Sequence, residues 1–282
     1  MSEILQSKAL RMPAMLEAIE ANLAEEMMSF GRDIPEGEVH EDGELYWFIT
    51  GRPYPNGVTR TYLAKDDPAY VEAKILATRD YFQARGVGFN WAVGPMTRPG
   101  NLATYLEKYG FSHRHEDTIM AIDMQAIHED LPVPAELVIQ ECRDVKMLRS
   151  WFPVAMRGFD ATEEDTANYY NNYVKLGFGK GRPWHHYVGW LHNEPVGVAT
   201  LLLHAGVAGI YGVAVLPQAR RQGIGTAMTL HALREARALS YQIALLTPSK
   251  MGIGIYRRIG FQEYGSIHHY GWSPSVHKQE KR

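Results

Sequence analysis

The sequence predicts an α/β chain, more closely α+β, of two domains. Three observations predict it. Apolar runs of strand length alternate with stretches of helical periodicity along the 282 residues. The stretch from Ala208 to Tyr256 reads as strand, glycine turn, helix, strand and short helix. Both halves also share one order: long helix, short strand, short helix, then a Gly-Phe pair opening a strand. That pair ends YLEKYGF in the first half and IYRRIGF in the second, which points to a diverged tandem repeat.

The totals support this and exclude other classes. A composition of 45% hydrophobic and 22% charged residues suffices for real cores. A net charge of -3 gives no electrostatic case for nucleic acid as a partner. The single cysteine, Cys142, allows neither an internal disulfide nor a thiol-rich metal site, and fits a reducing compartment. The N-terminal segment lacks the apolar core of a signal peptide, and no run approaches the roughly 18 apolar residues of a membrane span. The expectation is a soluble, cytoplasmic protein without a membrane partner; an oligomer stays open.

In the first half, Met12, Met15, Leu16, Ile19, Leu23 and Met27 recur at helical spacing, predicting an amphipathic helix from Lys8 to Phe30. The Pro and Gly of RDIPEGE, and EDGE after it, predict a loop. Leu45 to Thr50 and Val58 to Ala64 read as strands joined by GRPYPNG, where Asn56-Gly57 is a hairpin signal. Asp67-Pro68 opens a helix that Gly86 stops, since aspartate caps free N–H groups and proline at the first position needs no donor. GFNWAV is a short buried strand, Leu102 to Tyr109 a helix, and Gly110-Phe111 starts a strand ending near Met124.

The acidic, proline-containing EDLPVPAE reads as a linker and divides residues 1–130 from residues 137–282. Beyond it come the strand LVIQE, a helix from Val145 to Ala155 capped by Asp144, and a helix from Glu163 to Leu176. HHYVGWL and VGVATLLL form a hairpin around HNEP, the Ala208–Tyr256 stretch follows, and GFQEYGSIHHYGW is the last strand.

The chemistry centres on Arg220, Arg221, Gln222, Gly223, Ile224 and Gly225, where strand turns into helix. The first N–H groups of a helix have no partner inside it, and the helix dipole adds about half a positive charge there. Glycine lets an anion approach the backbone, and two arginines add charge, so a pyrophosphate suits the turn. Neither GxxxxGK[ST] nor GxGxxG is present. The pattern RxxGxG after a strand ending VLP, with YxxxGF downstream, resembles the acetyl-CoA loop and core of the GNAT acetyltransferase superfamily. The match is densest over Ala208 to Phe261 and extends loosely back to Leu137; the first half has no glycine loop and resembles only the end of that fold.

The resemblance implies two domains of the family type, each a mixed, mostly antiparallel twisted sheet flanked by helices, with the cofactor site in residues 137–282 only. It implies acetyl-CoA as co-substrate and no metal. Main-chain groups of Val213, Ala214 and Val215 would meet pantetheine. Arg220 through Gly225, with Thr226, would hold the pyrophosphate. Ser249 stands where many relatives have a cofactor-contacting asparagine. Tyr256 matches the general acid that protonates the leaving thiolate. The reaction implied is N-acetylation of a primary amine, small or amino-acid-like. The alternatives are an acyl-CoA-binding sensor or interaction module without turnover, and a protein or peptide N-acetyltransferase.

Two features stay open. Several relatives place a glutamate base on the strand before the turn, and Ala208 to Gly212 contains none. Other candidate bases are Asp160, Glu163, Glu164, Asp165, His185, His186 and His204. The aromatic residues between Trp151 and Tyr187 suit either an amine cation or plain packing. His113 and His115 share a strand face, but the sequence shows no third ligand, so a zinc site is not expected there.

Overall fold

The chain is described from a computed structural model that covers residue 4 and residues 13–32, 36–52, 55–179 and 181–274. In chain order the first-half elements are α1 (Pro13–Met28), β1 (Glu38–Glu41), β2 (Leu45–Ile49), β3 (Gly57–Thr61), α2 (Pro68–Ala84), β4 (Phe89–Val93), α3 (Leu102–Lys108) and β5 (Ser112–Asp123). The second half carries β6 (Val138–Glu141), α4 (Val145–Leu148), α5 (Trp151–Phe159), α6 (Glu163–Leu176), β7 (Trp184–Leu191), β8 (Glu194–His204) and β9 (Val207–Val215). It ends with α7 (Ile224–Ala238), β10 (Ile243–Leu246), α8 (Ile253–Ile259) and β11 (Gln262–Trp272). No helix among the described residues is long and apolar enough to cross a membrane.

The chain forms two compact units that are not the contiguous halves expected from the linker. Among the described residues, one unit takes those through Asn22 and Thr118–Tyr264; the other takes those of Leu23–Asp117 and those from Gly265 to residue 274. The physical reason lies in β5 and β11, which both run through the division. In the first unit β7, β8 and β9 pair antiparallel in sequence, β9 pairs parallel with β10, and β10 pairs antiparallel with the end of β5. In the second, β1, β2 and β3 pair antiparallel, β3 pairs parallel with β4, and β4 pairs antiparallel with the end of β11. The two ladders therefore repeat one pattern, and each closes on the strand contributed by the other half of the sequence. Both units are α+β, with a mixed, mostly antiparallel set of strands flanked by helices.

Local chemistry explains most element ends. Asp67 accepts a hydrogen bond from the Tyr70 N–H and Pro68 begins α2. Asp144 and Thr162 cap α4 and α6 in the same way. The helix expected from Lys8 is seen from Pro13; its first residues lie outside those described. The single helix expected over Val145 to Ala155 is instead α4 and α5. Pro153 has no N–H, so a continuous helix would lose a bond there. Restarting at Trp151 puts Pro153 in a first turn, where that N–H would be unpaired anyway. β1, within a segment expected to be loop, pairs with β2 over all four residues. The β2–β3 hairpin forms, but Asn56-Gly57 is not its two-residue turn, since Gly57 already pairs with Phe48. Asn56 is buried and its carboxamide ties the loop, accepting from the Thr50 N–H at 2.8 Å and donating to Arg52 O at 2.7 Å.

The first unit's core is carried by β8 and β9, with α5 and α7 packed on them. Val198 through Leu202 are all buried, the mark of a strand covered on both faces. Met228, Leu230, Leu233 and Ala236 of α7 are buried as well, each long side chain contributing about 1.5–3 kcal/mol. Trp47, Phe82, Phe89, Trp91 and Phe111 form the core of the second unit.

Candidate active site

Strand β9 is irregular where it matters. Ala214 faces Val198 and Tyr211 faces Thr200, so Gly212 and Val213 stand opposite the single residue Ala199 of β8. This is a β-bulge, and Gly212 takes φ 57°, a conformation glycine adopts without steric cost. On the other side β9 pairs with β10 only at Ala208 and Gly209. Beyond Gly209 the two parallel strands part, and the edge of β9 at Val213–Val215 opens into a cleft of about 1190 Å³.

One cleft gathers the residues singled out from the sequence. Val213, Ala214, Val215, Arg220, Arg221, Gln222, Gly223, Ile224, Gly225, Thr226, Ser249 and Tyr256 all line it. After β9 the chain makes a short 3-10 turn, Pro217–Ala219, and enters α7 through Gly223 at φ 81°. The first backbone bond across the start of α7 runs from the Ala227 N–H to Gly223 O, 2.9 Å. Helix geometry thus leaves the N–H groups of Ile224, Gly225 and Thr226 without partners in the helix, at its positive end. A Cβ on residue 223 would lie 2.4 Å from Pro132 O, so only glycine fits this close approach.

The arginines divide their work. Arg220 does not extend its guanidinium as the free charge expected from the sequence. Its Nη2 donates to Gly158 O at 2.8 Å and its Nε to Val215 O at 3.3 Å, fastening the turn to α5 and β9. Arg221, at φ 62°, is exposed and makes no ion pair among the described residues. Arg258 also lines the cleft and was not singled out; α8's three-residue spacing from Ile255 was its only sequence signal. Among the described residues no carboxylate or imidazole lines the cleft, so its lining is cationic.

Ser249 Oγ accepts from the Gly252 N–H at 3.2 Å, which makes it a cap for the turn into α8. Gly252 is the cap residue itself and Gly254 falls in the first turn, so neither interrupts a helix interior. Tyr256 is half-buried beside Phe261 and in hydrogen-bonding reach of Thr229. Burial pushes its hydroxyl up to about 12, against the Thr229 bond.

The other sequence candidates lie elsewhere. Asp160, Glu163, Glu164 and Asp165 are exposed at the end of α5 and the start of α6 and do not line the cleft. His185 is 2.7 Å from a Glu141 oxygen. His186 is fully buried, 3.0 Å from Thr200 Oγ1 and against the Tyr173 ring, and burial holds it at about 3. His204 is half-buried outside the cleft lining. Trp151, Tyr173, Trp184 and Tyr187 are core residues; of the aromatic cluster only Phe159 reaches the cleft. The linker expected at 129–136 supplies Leu131, Pro132, Val133 and Pro134 as one wall, which proline content alone did not reveal. Burial raises the Cys142 thiol to about 12, which makes it inert.

Residues 145–261 match the Acetyltransferase (GNAT) family. A GCN5-related N-acetyltransferase from Kribbella flavida is similar in structure, with TM-score 0.70, 22% identity, and 94% of this chain and 99% of that one covered. A tandem GNAT protein from the clavulanic acid biosynthesis pathway has TM-score 0.65 and 13% identity, with 92% and 94% covered. A GCN5-related N-acetyltransferase from Sphaerobacter thermophilus has TM-score 0.60 and 17% identity, with 97% and 95% covered. No curated protein matches the chain significantly. The second half of the chain therefore carries a match to the GNAT acetyltransferase family, and the fold is similar over most of the chain's length to those of GCN5-related N-acetyltransferases and a tandem GNAT protein.

Proposed function

We propose that the chain transfers an acetyl group from acetyl-CoA to a small or amino-acid-like primary amine, by direct attack within a ternary complex. The observation that carries this reading is the parting of β9 from β10 beyond Gly209, which joins the bulge, the start of α7 and Tyr256 in one cleft. Unpaired N–H groups at Ile224, Gly225 and Thr226, with Arg221 and Arg258 and no lining carboxylate, suit a diphosphate. The open edge of β9 at Val213–Val215 suits the amide groups of pantetheine.

In this reading the amine nitrogen forms a bond to the thioester carbon. Charge on the carbonyl oxygen is met by a main-chain N–H near Val213. The C–S bond breaks, and Tyr256 gives its proton to the sulfur. The nitrogen loses its proton to water, since no carboxylate or imidazole among the described residues lines the cleft. Phe159 and Met251, both well exposed, offer an apolar lip to the acceptor. A cytoplasmic setting belongs to the same reading.

Thermal unfolding with acetyl-CoA tests binding. Ligand at 100 times its Kd stabilises by about 2.7 kcal/mol. That amounts to a rise of several degrees for a chain of this size, with NADH and ATP as controls. Gly223→Glu should abolish the rise through bulk and like charge. Tyr256→Phe should keep it while turnover falls about 100-fold. Binding without CoA release, for amines and peptides alike, would mean a sensor; release with peptides alone would move the acceptor to protein N-termini or lysines.

A further inference from the structure

A second cluster of chemical groups lies in the other unit, where the proposed transferase site uses none of them. His113, His115 and Asp117 occupy alternate positions on β5 and so share a face. His268 and His269 lie on β11, the strand next to β5. Asp117 Oδ2 is 3.0 Å from His269 Nε2 and 3.6 Å from His115 Nε2. The rings of His115 and His269 are stacked, with centroids 4.3 Å apart and planes 11° from parallel. Beside them His268 Nδ1 is 3.4 Å from His113 Nε2.

We propose that His115, Asp117 and His269 bind a divalent transition-metal ion, with zinc the best fit. One donor atom from each residue lies within 4.8 Å of the others. A tetrahedral zinc ion with bonds of about 2.1 Å sets its donors about 3.4 Å apart, and the two carboxylate–imidazole distances bracket that value. Two imidazoles and one carboxylate suit zinc, copper or nickel, whereas calcium and magnesium take oxygen ligands. His115 and Asp117 are partly exposed, so the site is open to the ion and leaves a fourth position to water. The sequence hid the third ligand because His269 comes from the last strand of the other half. The ion would tie β5 to β11 and stabilise the folded chain by binding it alone.

The test uses the full chain with any affinity tag removed, stripped with a chelator and dialysed. Zinc is titrated against a chromophoric chelator, and cobalt is titrated in parallel for its visible absorption. One equivalent of zinc should bind with a micromolar or lower Kd, raise Tm, and displace cobalt, while magnesium does none of these. His115→Ala, at the more exposed position, and Asp117→Asn should each weaken binding at least tenfold and leave the acetyl-CoA thermal shift intact. His231→Ala, a histidine of α7 outside the cluster, should leave zinc affinity unchanged. Absence of stoichiometric binding, or full affinity retained in His115→Ala and Asp117→Asn, would overturn the site.

Discussion

Gly252 makes room for the ring of Tyr256: a β-carbon on residue 252 would stand 2.9 Å from Cε2 of that tyrosine. At Gly254, two residues on, nothing lies within 4 Å of the same added atom. Both residues are at or near the start of α8, where replacing glycine by alanine ordinarily stabilises by about 0.4–1 kcal/mol through the unfolded chain. Gly254→Ala should therefore raise Tm by a degree or more and leave turnover unchanged. Gly252→Ala should displace the tyrosine and lower kcat, with acetyl-CoA affinity retained. Equal turnover in the two variants would separate Tyr256 from the chemistry.

The hydroxyl of Tyr256 is raised to about 12 by burial. A raised phenol keeps its proton, so it remains a donor through pH 10 and is lost only as pH nears 12. The expected profile of kcat/KM rises as the acceptor amine deprotonates and then stays level through pH 10. A descending limb centred below pH 9.5 that vanishes in Tyr256→Phe would contradict the burial described above.

Asn22 is wholly buried and donates to the carbonyls of Leu202, His204 and Val207 at 3.1–3.3 Å, while accepting from the Tyr211 hydroxyl at 2.7 Å. It thereby closes the end of the β8–β9 hairpin next to Gly209, where a β-carbon would lie 2.2 Å from its Oδ1. Asn22→Ala leaves several buried polar atoms unpaired and should cost about 2–4 kcal/mol in urea unfolding. Asn22→Asp should also destabilise, since a carboxylate cannot donate to those carbonyls.

His186 sets an acid limit on stability. It is neutral in the folded state, held at about 3 by burial, while the unfolded chain takes up a proton near 6.5. The unfolded state thus binds more protons between those values, and stability falls as pH drops from about 6.5 towards 3, by up to about 1.4 kcal/mol per pH unit. His186→Gln removes this titration. Its unfolding free energy should change less than that of the natural chain between pH 6.5 and 5.

Much of this was legible in the residues because the signals are local. RRQGIG marks a helix start by its glycines, Asp67-Pro68 and Asp144 are caps, and each run of the second half expected as a strand became one. Arg220 to Gly225 line the cleft as the turn suggested, whereas the wall at Leu131–Pro134 and Arg258 were not legible. What could not be read depends on contacts distant in sequence. Asn56 resembles a turn residue, yet its buried carboxamide also donates to Gly88 O, 32 positions away. Arg220 looks like a free charge until Gly158 O is placed beside it. Pro132 is a linker residue until its carbonyl meets Gly223. β5 and β11 each complete the ladder of the opposite half, which no local pattern announces.

The gap between β9 and β10 has a consequence for inheritance. Its rim is drawn by the polypeptide trace: a bulge, two diverging ribbons and a left-handed glycine. Side chains along that rim are free to drift while the opening persists, and selection is left to police a handful of places where a methyl group has no room. A lineage built this way can change nearly all its letters and still hand down the same mouth.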